Sequence, residues 1–265
     1  MKFAVNYSNS LVRLLKEENV NIDLIKCPDW DGMLTEARPY GKITIHFDLE
    51  VGLGNTLKAD FSRIQKLLET TETVHVNTHL YTPPYFDPNN HYEVEKINLL
   101  WRNEIQHMIK HLNGTIVALE HLPYTHTSKH LLPAADPEMF SQVVKDTNCM
   151  FLLDLAHARI SADSFGIDVK TYIQSLPLDR LVEVHITGIK THSGILTDHF
   201  ELNNDDWDIF RWALDEIETR RWRKPEIIAF EYGGVGQTFF WRTEYDVLKD
   251  QVPILYEMIR RIDLP

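Results

Sequence analysis

The sequence predicts an α/β fold, a single (β/α)8 TIM barrel spanning residues 1–265 as one domain. Three observations carry that expectation. Strand-like and helix-like runs alternate eight times, which calls for parallel strands joined by helical crossovers. The length of 265 residues suits one such barrel, since barrels of this kind commonly run to about 250 residues. Six of the eight strand-like runs end in His, Asp or Glu, at the strand end where barrels of this type place their chemistry.

The elements follow in order. FAVNY (3–7) reads as the first strand, and SNSLVRLLKEENV (8–20) as a helix with Ser8 or Ser10 as N-cap. NIDLIKCP (21–28) is the second strand, with a short helix in 28–39. KITIHFD (42–48) is the third. Its helix, 57–71, has Phe61, Ile64, Leu67 and Leu68 in helical spacing. TVHVNTHL (73–80) is the fourth, followed by a Pro-rich loop, 80–90, and a long helix that stops before Asn113-Gly114. TIVALEHLP (115–123) is the fifth strand, and its helix starts at Asp136 as N-cap with Pro137 in the first turn. MFLLDLAHAR (150–159) is the sixth, with its crossover helix expected at 167–177. LVEVHITG (181–188) is the seventh, leading through a loop around residues 194–207 to a helix over 204–222. EIIAFEYGG (226–234) is the eighth, followed by a helix over 241–262 that Pro253 is expected to kink or split.

Composition narrows the function. The formal net charge is −12, from 27 Lys and Arg against 39 Asp and Glu, which argues against tracking a nucleic-acid backbone. Cys27 and Cys149 are the two cysteines and form no CxxC, so neither a disulfide framework nor a thiolate metal site is expected. No run approaches the ~18 apolar residues of a membrane span. The first ten residues lack the apolar core of a secretion signal, so a soluble cytoplasmic protein is expected. No nucleotide loop, zinc-protease or serine-hydrolase motif is present.

The strand ends then point to one metal centre. A buried carboxylate is costly unless paired or bound to a cation, which marks Glu120 and Glu231 as ligands and as acid–base or bridging groups. Asp154 and His157, three residues apart, can share a cavity wall. His185 lies inside a β-branched strand, and His79 precedes the Pro-rich loop. His46 competes with Asp48 in its own run. Of the adjacent Asp198 and His199, one is expected in the site, and spacing does not choose; His192 is a weaker option. The remaining histidines, His75 and His121 among them, are expected on the surface or behind the ligands. His and carboxylate donors together suit Zn, Mn or non-haem Fe better than Ca or Mg. So many ligands exceed what one ion takes and imply two or three.

The segment 119–189 resembles the multinuclear non-haem iron-dependent oxidative enzymes, a family of xylose-isomerase-like barrels. The resemblance rests on Glu120-His121 (usually Glu-Asn), Leu152-Leu153-Asp154 with His157, Tyr172 to Leu176-Pro177, and Glu183-Val184-His185 through Gly188. The later TDHFELNNDDW run is similar too, although Asp198 and His199 are adjacent where the family spaces Asp and His by one residue. The resemblance implies an oxidase with two or three irons that uses O2 to modify a residue, often cysteine, of a ribosomally made peptide, presented by a partner protein. It places His79, Glu120, Asp154, His157 and His185 at ligand positions, with Glu231 a further match. Two other enzymatic readings remain: a divalent-metal sugar isomerase or epimerase, and a metal-dependent phosphodiesterase or nuclease, which the acidic charge disfavours. A metal-binding or peptide-docking protein without activity is the non-enzymatic one.

Overall fold

The structure, a computed structural model, describes residues 1–192, 194–234 and 243–262. The chain falls into two compact units, Met1–His46 with Val182–Pro265, and Phe47–Leu181.

The first unit begins with β1 (Lys2–Asn6), α1 (Asn9–Glu17), β2 (Leu24–Pro28), α2 (Asp31–Ala37) and β3 (Ile43–His46). Ser8 caps α1: its hydroxyl accepts a hydrogen bond from the Leu11 amide at 3.0 Å, satisfying one of the amides a helix start leaves unpaired. Leu11 and Leu14 turn inward from α1.

The second unit carries β4 (Glu50–Val51), α3 (Phe61–Thr70), β5 (His75–Leu80), α4 (His91–His111), β6 (Ile116–Glu120), α5 (Leu132–Ala135), α6 (Pro137–Thr147), β7 (Met150–Asp154), α7 (Leu155–Phe165) and α8 (Val169–Gln174). Its strands are parallel in the order β7-β6-β5-β4. Asp136 caps α6 with Pro137 in the first turn. Asn113 (φ 48°) and Gly114 (φ 89°) follow α4 in the left-handed region, which asparagine and glycine tolerate best.

The chain then returns to the first unit with β8 (Leu181–Ile186), β9 (Gly188–His192), β10 (Ile195–Phe200), α9 (Asn204–Glu218), β11 (Ile227–Phe230) and α10 (Tyr245–Arg261). Five strands of this unit lie parallel in the order β3-β2-β1-β11-β8, and β9 and β10 form a separate antiparallel hairpin. A capping box starts α9, with Asn203 and Asp206 satisfying each other's amides.

All eight expected strands are present, each within one or two residues of its sequence run or as the core of it. Three expectations differ. The sixth strand stops at Asp154 rather than reading on to residue 159. Asp154 accepts from the His157 amide at 2.8 Å and so starts α7, a helix the sequence reading missed. Seven residues of α7 are buried, His157 and Ser161 among them, and a helix buried on most sides shows no clean 3.6-residue stripe. The expected loop over 194–207 contains β10, whose half-exposed residues give no buried face to recognise. Pro253 lies within one helical segment, α10, instead of dividing it. The expected start of this helix at Trp241 and Arg242 lies outside the described residues.

Candidate metal centre

Register collects the polar residues of the first unit on one face of its sheet. Side chains two apart share a face, and partnered residues in neighbouring parallel strands point the same way. Asn6 pairs with Lys26, Lys26 with Thr44, and Pro28 with His46, while Ala229 pairs with His185. Lys26, Thr44 and His46 therefore share a face with Ala4, Ala229, Glu183 and His185. Ala4 and Ala229 end at Cβ, so the long side chains from β2 and β8 meet over them.

They meet in a buried network. Lys26 is 3% exposed, and its ammonium lies 2.9 Å from Glu183 Oε1 and 2.9 Å from Glu231 Oε1. It also donates to His185 Nε2. The other face of that ring, Nδ1, is 3.3 Å from Glu231 Oε2. The His46 ring stands 5.4 Å from the His185 ring, centroid to centroid. One donor atom from each of His46, His185 and Glu231 lies within 4.8 Å of the others. Burial alone would raise the Glu231 carboxyl, but His185, Lys26, His46 and His199 around it outweigh this and hold it at about 2. Glu231 is thus a carboxylate at any working pH.

His199 joins from the hairpin. It sits at φ 60°, where the pairing of β9 and β10 slips between Thr197 and Phe200, the kind of irregularity that re-aims a side chain. Its Nδ1 donates to the Glu231 carbonyl at 2.8 Å, which leaves Nε2 with the lone pair a metal needs. Asp198 is half-buried on the same strand and belongs to neither three-residue donor group that the structure assembles within a unit. His192, the weaker option, is exposed.

The second unit builds its own cluster. His79 and Glu120 are register partners on β5 and β6, with His79 Nε2 3.3 Å from Glu120 Oε2. Glu120 and Asp154 are each 1% exposed and His157 is 7% exposed. His157 Nδ1 donates to the His121 carbonyl at 2.9 Å, the outer bond that fixes the tautomer of a metal-binding histidine. Its Nε2 faces Asp154 Oδ2 at 3.8 Å. Glu120, Asp154 and His157 again bring one donor atom each to within 4.8 Å of the others. Two ligands about 2.1 Å from one ion stand about 3–4 Å apart, so donor pairs at the far limit of each group would close by about 1–2 Å on a cation. The donor chemistry fits a transition metal: imidazole nitrogen and carboxylate oxygen, without thiolate. Burial pushes the Cys27 thiol up to about 12 and the Cys149 thiol up to about 11, so neither offers a thiolate near neutral pH.

Sequence reasoning missed Lys26 and passed over Glu183 as a motif residue only. A lysine in LIKCP reads as a solvated side chain, and its partner Glu183 is 157 positions away. Two histidines assigned to the surface or behind the ligands are fully enclosed: His75 is 3% exposed and His121 0%. The His121 ring packs against Phe140, Phe151 and Tyr172 at centroid distances of 5.9, 6.1 and 6.1 Å. Its backbone carbonyl accepts from His157 Nδ1, and its ring meets the His157 ring edge-on at 6.0 Å.

The pattern of the RiPP precursor modification enzymes MbnB/TglH/ChrH matches residues 32–222. The chain belongs to this family. The resemblance drawn from residues 119–189 is borne out. A UPF0276 protein of Acaryochloris marina is 24% identical over 196 residues, covering 69% of each chain. One from Vibrio parahaemolyticus is 27% identical over 89 residues, so the alignment spans 31% of that relative's length. Among solved structures, a D-tagatose 3-epimerase-like protein superposes with a TM-score of 0.63 at 18% identity, covering 99% of this chain and 98% of its own. A xylose isomerase domain protein from Planctomyces limnophilus gives 0.60 at 10% identity, with 99% and 97% covered. Endonuclease IV from Thermus thermophilus gives 0.56 at 11%, with 98% and 100% covered. At these identities the likeness speaks to the fold alone, the α/β fold of xylose isomerase-like proteins. The structure turns the His121 side chain into an aromatic pocket.

Proposed function

We propose that the chain is a metal-dependent oxidative enzyme that modifies a residue, cysteine in our reading, of a ribosomally made peptide. A single (β/α)8 barrel is its frame, and two or three irons its cofactor, with Zn or Mn as the competing ions. The observation that carries the reading is the pair of buried His–carboxylate clusters in a chain of a peptide-modifying family. One buried carboxylate pair is ordinary salt-bridge architecture. Two clusters, one with His157 and the other beside His199, each of these rings held in the ligating tautomer by a backbone carbonyl, are not.

The chain's residues divide the work. Glu120, Asp154 and His157 would hold one ion, with His79 beside Glu120. His46, His185 and Glu231 would hold another, with His199, or Asp198 in its place, completing the shell. Iron held there supplies one-electron chemistry with O2. Glu120 and Glu231 each pair a carboxylate oxygen with a histidine nitrogen at 3.3 Å, so each can orient a ligand and take up or return a proton. The peptide is the substrate, and a partner protein is expected to present it. Nucleic acid is a poor fit to a net charge of −12.

Anaerobic reconstitution with ferrous iron tests this. Two or three irons per chain, magnetic coupling in the Mössbauer spectrum and O2 uptake that needs a cysteine-bearing peptide are expected. Ketose epimerisation by the Mn form without O2 would transfer the site to the sugar-epimerase reading. A chain that binds no transition metal would end both.

A further inference from the structure

Lys26 has no counterpart in the ligand argument, yet it sits where a cation would. It is a buried ammonium with three hydrogen-bond donors, and the acceptors it meets include Glu183 Oε1, Glu231 Oε1 and His185 Nε2. Glu231 and His185 are two of the three residues that would hold the ion of this unit. We infer that Lys26 is a resident cation that competes with the ion for this cluster, so that the His46–His185–Glu231 site binds metal more weakly than the Glu120–Asp154–His157 site. The inference rests on the metal reading above and adds an order of filling to it.

Two arguments support the competition. The first is charge. Glu183 and Glu231 bring two negative charges, and Lys26 already cancels one. A divalent ion entering beside a fixed ammonium meets repulsion that a buried site screens poorly. The second is the tautomer of His185. When Nε2 accepts from the ammonium, the ring proton sits on Nδ1, the nitrogen 3.3 Å from Glu231 Oε2. A ring in that state offers the ion a proton instead of a lone pair. For Nδ1 to ligate, the proton must move to Nε2 and be donated to Glu183 Oε1, which is 2.9 Å away and well placed to accept it. Lys26 must then withdraw from Nε2. The second unit needs no such rearrangement, because the His121 carbonyl already holds the His157 proton on Nδ1 and leaves Nε2, 3.8 Å from Asp154 Oδ2, with its lone pair. Lys26 is therefore a positioning residue that acts through His185 and Glu231.

The experiment is a titration of the chelator-stripped full chain with Mn2+ alone, read by the EPR signal of the free ion. Wild type should bind in two steps, and His157→Ala should remove the tighter one. Lys26→Met should tighten the weaker step by at least about tenfold, as expected for lifting a unit charge from a poorly screened site. The tighter step should not change. Lys26→Arg, which keeps the charge, should leave the weaker step weak, and Lys26→Gln should behave as Met does. If Lys26→Met folds only when Mn2+ is added, with a thermal midpoint that rises more per bound ion than in wild type, the ion has replaced the ammonium and the inference stands. An unchanged or weakened second step in both neutral variants overturns it and leaves Lys26 as a plain anchor for Glu231. No Mn2+ binding by any form, wild type included, would overturn the metal reading itself, a result distinct from the previous one.

Discussion

Asp154 holds two jobs in one carboxylate. Oδ1 caps α7 by accepting from the His157 amide at 2.8 Å, and Oδ2 faces His157 Nε2 at 3.8 Å. Substitution separates them. Asn is as good an N-cap as Asp, whereas Ala costs about 1 kcal/mol at such a position. Asp154→Asn should keep the helix start and lose metal at this cluster. Asp154→Ala should lose the metal and a further ~1 kcal/mol of stability, which urea unfolding with metal counting on the same samples would resolve. Glu231 makes a prediction about pH. Its carboxyl is held at about 2 in the folded chain against an ordinary 4.5, because His185 and Lys26 outweigh the effect of burial. A depressed carboxyl contributes stability that is complete above the unfolded value and is lost as pH falls through the folded one. In the metal-free protein, wild type should therefore lose stability between pH 4.5 and about 2 that Glu231→Gln does not have to lose. The gap in urea midpoint between the two, wide at about pH 6, should narrow as the pH falls toward about 2; a constant gap would mean the Glu231 charge is not stabilised by its neighbours.

At the level of elements, the hairpin of β9 and β10 depends on Gly188. A Cβ at this position would fall inside the contact distance of the Glu201 carbonyl, with the Phe200 carbonyl close behind. Both are backbone atoms of the returning strand, so they can yield only by moving the strand. This gives a physical reason for a glycine three residues after His185 in the Glu-x-His-x-x-Gly run. Because β10 carries His199, the close approach at Gly188 also fixes where that ring sits beside Glu231. Gly188→Ala should cost about 1–3 kcal/mol, the usual penalty for forcing atoms into packed space. It should also lower the metal content of the first-unit cluster while leaving that of the second. Loss of both together would point to a general unfolding instead of a displaced hairpin.

Across the whole molecule, what the sequence made legible was local and what it hid was long-range. The strands could be read because β-branched runs end abruptly at His46, His79, Glu120 and Asp154, and because caps such as Ser8 and Asp136 announce the helices between them. Helix α7 was hidden because most of its residues are buried, polar His157 and Ser161 among them. Lys26 was hidden because its meaning lies in Glu183 and Glu231, brought to it only by register through β1 and β11. His121, expected on the surface or behind the ligands, proved to be a ring among aromatics. The same scale governs how metal should act on stability. Neither cluster exists in the unfolded chain, so each ion bound by the folded state stabilises it by mass action, about 4 kcal/mol at a thousandfold excess over its dissociation constant. For a chain of this size one kcal/mol shifts the thermal midpoint by roughly 2–4 °C, and binding also relieves the self-repulsion of a net charge of −12. Stripping the ions with a chelator should therefore lower the midpoint by about 10 °C or more, and His157→Ala should already have lost the share that belongs to its own cluster. Scanning calorimetry of both forms with and without chelator would show it. Equal midpoints for stripped and loaded wild type would mean that the clusters are structural ion pairs and that no metal completes the fold.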